Sequence, residues 1–190
     1  MASQPPTGWK HSTDGADAAA VWDRQEGTEA VFWTHLKGKL EQDMPAIAGY
    51  SHSVDRFAIG HIRSRHGDEL SEKARGLLPV TKEDILKITS VVTQYDAIRT
   101  DLRSAENTPR VAYAKRFSDG VLLYLENVSA KRRNMRGVSM WKYPQTADVK
   151  KVLEQNLSPV PYAQDASGAS PHVADDGILR QETQDTRCKL

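Results

Sequence analysis

The chain has 190 residues, 38% of them apolar, with 26 Lys/Arg against 25 Asp/Glu for a net charge of +1. That length suits one domain of ordinary size, and the low apolar fraction points to a core diluted by polar tails. The single cysteine, Cys188, excludes an internal disulfide framework and a cysteine-rich zinc site. No apolar run approaches the roughly 18 residues of a membrane span, and none resembles a signal-peptide core, so a soluble protein of a reducing compartment is expected.

Residues 1–15, MASQPPTGWKHSTDG, read as irregular. From Ala16 to about Asp43 the pattern is helical, with a break at Glu26-Gly27. Thr28 is placed to cap a second helix, on which Phe32, Leu36 and Leu40 recur every four residues. Pro45 and Gly49 mark a connection. A helix then spans about Val54 to Arg65, with Ser53 as N-cap, Asp55 at the positive end of the dipole and Gly67 as the stop. Its apolar side is Ala58, Ile59 and Ile62. Thr81-Lys82-Glu83-Asp84 has capping-box spacing, with Asp in place of Glu, and opens a helix carrying Ile85, Ile88, Val91 and Val92.

The period then changes to two. Val111 to Arg116 alternates as a first strand, Ser118-Asp119-Gly120 is a hairpin turn, and Val121 to Val128 is a strongly apolar second strand. After the basic loop Lys131-Arg132-Arg133-Asn134 a third strand runs from Met135 to Tyr143, stopped by Pro144. Thr146 caps a short last helix. Beyond Asn156 the Pro, Gly, Ser and Asp content cannot offset chain entropy, so residues 158–190 are expected to be a disordered tail. The organisation is an irregular N-terminus (1–15), a helical segment (16–50), an α+β domain (51–157) and the tail. The fold class is α+β, with N-terminal helices packed on a small antiparallel sheet.

Charge is concentrated within this frame. Residues 110–151 hold ten Lys/Arg against three Asp/Glu, while residues 1–50 carry four positive and seven negative side chains. A basic sheet suggests a surface that meets phosphate, to which Lys115, Arg116, Arg132, Arg133, Arg136 and Lys142 would contribute. The bland reading of Lys131–Arg133 is a solvated turn. Strand alternation puts Met140 and Lys142 on one face and Ser139, Trp141 and Tyr143 on the other. Trp141 there either stacks a base or fills the core.

His61 and His66 are two of six histidines, in HIRSRHG. Five residues turn a helix by about 140°, which parts the rings, so no metal site and no cofactor are expected. His66 lies four residues after Ile62, on the core-facing side and in the last turn. It is a candidate acid or base with a pKa raised by the helix C-terminus, or else a capping histidine. His11, His35, His52 and His172 carry less signal: His52, for one, merely precedes a helix start.

The order YSHSVDRFAIGHIRSRHG, RGLLPVTKEDILKI, RVAYAKRFSDGVLLYLENV, MRGVSMWKYP resembles the phage-associated branch of the barnase–EndoU–colicin–RelE nuclease superfamily, over roughly residues 50–145. The resemblance puts His66 at the family's helix-end histidine and His61 at its upstream partner. Arg116 or Lys115 falls at the basic hairpin position, Ser139 at the final-strand hydroxyl (threonine is commoner there), and Trp141 at the nearby aromatic. It implies a toxin-like or phage-associated, metal-independent endoribonuclease in which the ribose 2′-hydroxyl attacks the adjacent phosphate. The implied partner is RNA, with a phage structural protein or an immunity (antitoxin) protein beside it and no membrane. The implied location is the host cytoplasm or the virion. The rival is a non-catalytic nucleic-acid- or virion-binding module on the same fold. An ADP-ribosyltransferase fits less well, since Glu126 is the lone acid within the strands.

Overall fold

The computed structural model describes residues 10–11, 15–23, 30–33 and 39–155. All belong to one compact unit, Met1–Val160; a second unit, Pro161–Leu190, lies outside the described residues, as do Thr28, Leu36 and the tail expected to be disordered. The elements in chain order are β1 (Lys10–His11), α1 (Ala16–Asp23), β2 (Ala30–Trp33), α2 (Lys39–Asp43), a 3-10 turn (Pro45–Ile47), β3 (Ser51–Asp55), α3 (Arg56–His66) and α4 (Glu69–Ala74). There follow α5 (Lys82–Leu86), α6 (Ile88–Thr93), β4 (Ala97–Arg103), β5 (Pro109–Phe117), β6 (Gly120–Ser129), β7 (Asn134–Tyr143) and α7 (Val149–Gln155).

The fold is α+β, but its sheet is mixed. Strands run in the order β1-β2-β3-β7-β6-β5-β4. The antiparallel meander β4 to β7 carries most of the pairing, and β3 adds to β7 in parallel, Ser51 opposite Asn134. Nor are the helices all N-terminal, since α7 follows the sheet. The expected helix through Phe32 is a strand in the structure, β2 pairing antiparallel with β3 at Phe32 and Ser53. Its four-residue apolar spacing could not be told from a short buried strand.

The expected helix from Val54 begins later. Ser51–Asp55 is a fully buried strand, and Asp55 rather than Ser53 caps α3, its Oδ1 accepting from Ala58 N at 2.8 Å. The last helix is likewise capped by Asp148, which accepts from the Lys150 and Lys151 amides, and not by Thr146. Thr81 and Asp84 do form the capping box at the start of α5.

The sheet has two covered faces. Helices α1, α3, α5 and α6 lie over Tyr113, Leu122, Tyr124, Met135 and Met140. On the other face α7 supplies Val152 and Leu153 against Ala112, Ala114, Leu123 and Leu125. Between these faces β7 contains a bulge: Glu126 opposes Gly137 and Leu125 opposes Ser139, leaving Val138 extra. A bulge turns two successive side chains to one side. Val138 and Ser139 therefore join Trp141 and Tyr143 on the α7 face, while Gly137 stays with Met140 on the other.

Gly137 is required by close approach. A Cβ there would meet Tyr124 Oη at 2.1 Å and Val54 Cγ2 at 3.2 Å, and Tyr124 is fully buried. Gly137→Ala should therefore destabilise the protein by about 1–3 kcal/mol in urea unfolding. Adding Tyr124→Phe should return part of that loss, because the nearest obstructing atom is gone.

Candidate active site

Helix α3 delivers His66 to the edge of the α7 face. Ala58, Ile59 and Ile62 bury one stripe of the helix, and His66 continues that stripe one turn on. Gly67 ends the helix, its N–H donating to Arg63 O at 3.0 Å. The chain then returns through α4 and a segment that donates from Val80 N to His66 O (2.6 Å) and from Leu78 N to Lys142 O (2.8 Å). These bonds tie the end of α3 to the open half of β7, beyond the residues paired with β3.

His66 is 5% exposed. Its ring centroid lies 5.1 Å from that of Trp141 and 6.0 Å from that of His61, which approaches edge-on. The five-residue spacing thus did not part the two rings as helical geometry alone suggests. Glu72, wholly buried on α4, places Oε1 3.5 Å from His66 Nδ1 and 2.9 Å from Arg75 Nη1. Tyr143 and Ser139 occupy the same face of β7 as Trp141.

Four buried polar atoms here make no hydrogen bond: His66 Nδ1, Glu72 Oε2, Ser139 Oγ and Tyr143 Oη. Folded proteins leave few such atoms unsatisfied, since each costs about 1–3 kcal/mol. They belong to the end of α3, to α4 and to one face of β7, and each can still take part in a hydrogen bond.

The electrostatics correct the expected raised pKa of His66. Burial, followed by the positive charges of Arg75, His61 and Arg65, pushes its pKa down to about 4. The helix dipole is too weak to offset desolvation among cations. His66 is a neutral imidazole at pH 7, able to accept a proton. His61 is lowered as well, by burial and by Arg65. Burial and Glu72 push the Tyr143 hydroxyl up to about 12 against the opposing pull of Arg75, so it keeps its proton.

The candidates named from sequence divide sharply. His66, His61 and Trp141 come together at the end of α3, and Ser139 lies two residues before Trp141 on the same face of β7. Arg116 shares that face, in the row Arg116–Val121–Tyr143, but its guanidinium donates to Ala147 O at 2.6 Å and ties β5 to the approach of α7. Lys115 points to the opposite face and donates to Gln94 O. Lys142 is buried in an ion pair with Asp84 and Asp119. Arg136 pairs with the capping Asp55. Arg132 and Arg133 are exposed in the β6–β7 loop, with Arg133 at φ 48° and its guanidinium over the Tyr50 ring.

Sequence reasoning missed Glu72 and Arg75. Their signal was an acid and a base three residues apart on a short helix directly after the histidine-glycine stop, a spacing that puts them side by side. It also missed the buried set on the other face, where His52 Nδ1 lies 3.0 Å from Glu126 Oε2 and Tyr113 Oη donates to the same oxygen at 3.0 Å. No group of three His, Cys, Asp or Glu among the described residues is placed to hold a metal ion.

A family model described as phage-Barnase-EndoU-ColicinE5/D-RelE like nuclease3 matches residues 34–150. The chain belongs to that family. The match includes α3, α4 and the whole β4–β7 meander, so every residue of the site lies inside it. The chain matches no curated protein and no solved structure. It is thus a phage-associated, nuclease-like α+β domain, and no helix among its described residues is long and apolar enough to cross a membrane.

Proposed function

We propose that this domain is an endoribonuclease that needs no metal and cuts RNA by attack of the ribose 2′-hydroxyl on the adjacent phosphate. The observation that supports this reading best is a neutral, buried His66 beside unpartnered hydroxyls and a half-buried tryptophan on one sheet face. His66 takes the 2′-proton as the O2′–P bond forms and the P–O5′ bond breaks, leaving a 2′,3′-cyclic phosphate. Tyr143, still protonated, gives its proton to the departing 5′-oxygen. Ser139 donates to a phosphate oxygen, Arg75 steadies the phosphorane charge, and Trp141 stacks a neighbouring base.

Incubating the purified protein with total RNA in EDTA tests this. Cleavage is expected in EDTA, with cyclic phosphate ends, and DNA of the same sequence should survive. Cleavage that requires added magnesium, or equal attack on DNA, overturns the mechanism. No cleavage of any RNA shifts the reading to a binding module on the same fold.

Arg132 and Arg133 act in this reading as phosphate contacts outside the cleavage site. Replacing both with alanine should flatten the slope of log affinity against log salt by about 1–2 units, measured on an RNA the protein retains without turnover. An unchanged slope makes the loop a solvated turn.

A further inference from the structure

The short helix α4 places one carboxylate beside His66. Glu72 is 0% exposed, and a buried carboxylate is costly unless paired. Its Oε1 takes Arg75 at 2.9 Å and faces His66 Nδ1 at 3.5 Å, while Oε2 has no partner. The backbone fixes this arrangement. Asp68 caps α4 through the Ser71 amide, and Leu77 N donates to Glu72 O at 2.9 Å. The groups facing the imidazole are His61 and Arg65 from α3, Glu72 and Arg75 from α4, and Trp141 from β7, with Tyr143 beside the α4 pair. Glu72 is the one anion among them.

We propose that Glu72 is a positioning residue: it holds His66 in the tautomer protonated at Nδ1, so that Nε2 presents its lone pair, and Arg75 cancels its charge so that the ring stays neutral. A carboxylate opposite Nδ1 favours a proton there, and the second nitrogen then becomes the acceptor. Left unopposed, the same carboxylate would favour the imidazolium and silence the base. The Arg75 fork, on a side chain 55% exposed, anchors one nitrogen on Glu72 and prevents this. At 3.5 Å the carboxylate acts on the imidazole through its charge. This inference rests on the nuclease reading for its catalytic consequence, but not for its test.

The test is the imidazole nitrogen NMR spectrum of the full chain, followed against pH. The wild-type protein should show His66 as a single tautomer protonated at Nδ1. Glu72→Met, apolar and of similar volume, should give a mixture of tautomers. Glu72→Gln, whose amide oxygen still accepts, should keep the single tautomer. Arg75→Met should raise the His66 pKa by on the order of one unit or more, because the carboxylate is no longer opposed. On RNA, Glu72→Met should lower kcat by about 10- to 100-fold with little change in KM, as the loss of a histidine's outer partner does. A wild-type ring protonated at Nε2, or an Arg75→Met pKa that stays put, overturns the proposal. Should Glu72→Met fail to fold, Glu72→Gln and Arg75→Met still decide it. If the NMR results hold and no RNA is cut, the nuclease reading fails while this one stands.

Discussion

His66→Ala should abolish RNA cleavage, with a fall of about 10²–10⁴-fold or more, the contribution typical of a positioned proton acceptor. His61→Ala should do less, because that ring meets His66 edge-on and is itself exposed. The loss should appear in kcat, since the imidazole acts in the transition state and Trp141 remains to stack the base. A stability readout accompanies it. The folded-state pKa of His66 lies at about 4, below the ordinary 6.5, so the unfolded chain binds the proton more readily. Stability is therefore complete above about pH 6.5, declines as the pH falls towards 4, and declines no further from this group below that. The His66→Ala protein should lose that dependence between pH 4 and 6.5. Full activity of His66→Ala would remove the site from consideration. Unaltered pH dependence would mean that the ring titrates normally.

How much of this was legible in the sequence depends on whether the causes were local. The β5–β6 hairpin, the capping box at Thr81 and the Gly67 stop are written in neighbouring residues, and the structure keeps them. So is the alternation that sets Ser139, Trp141 and Tyr143 opposite Met140 and Lys142. What escaped depends on tertiary partners. β3 is buried along its whole length and so shows no alternation. β2 has helical spacing but pairs between β1 and β3 in the sheet. The bulge at Val138 appears only when β6 is laid against β7, although Gly137 marks the place.

The cations of residues 110–151 divide for the same reason. Charge counts do not reveal that Lys142, Arg136 and Arg116 are each committed to a partner within the fold. The cation nearest His66 on the α4 side, Arg75, lay outside the window that drew attention. Burial reversed the sign of the histidine's shift as well. A helix C-terminus favours the imidazolium in water, and desolvation beside three other positive groups disfavours it more.

Lys142 carries the largest stability effect outside the site. Its side chain is 9% exposed, and its Nζ lies 3.1 Å from both Asp84 oxygens and 2.7 Å from Asp119 Oδ2, with Lys87 completing the set. Asp84 also accepts from the Thr81 amide, so one carboxylate holds both the buried cation and the start of α5. Asp84→Ala should cost about 3–5 kcal/mol, because it removes the one buried carboxylate on Lys142 and leaves only the half-exposed Asp119, with about 1 kcal/mol more for the lost cap. Asp119→Asn should cost about 1 kcal/mol or less, since that carboxylate is half exposed and Asp84 still neutralises Lys142. Burial pushes the Asp119 carboxyl up, but hydrogen bonds from Lys142 and Lys87 outweigh it and bring its pKa down to about 2. Its contribution is therefore present above about pH 4 and is lost as the pH falls through 2. Lys142→Met separates the two readings of this residue. In the ion-pair reading it is milder than Asp84→Ala, because Lys87 and the cap still satisfy Asp84, and RNA affinity per folded molecule does not change. A drop in affinity with stability intact would instead make Lys142 a contact for substrate.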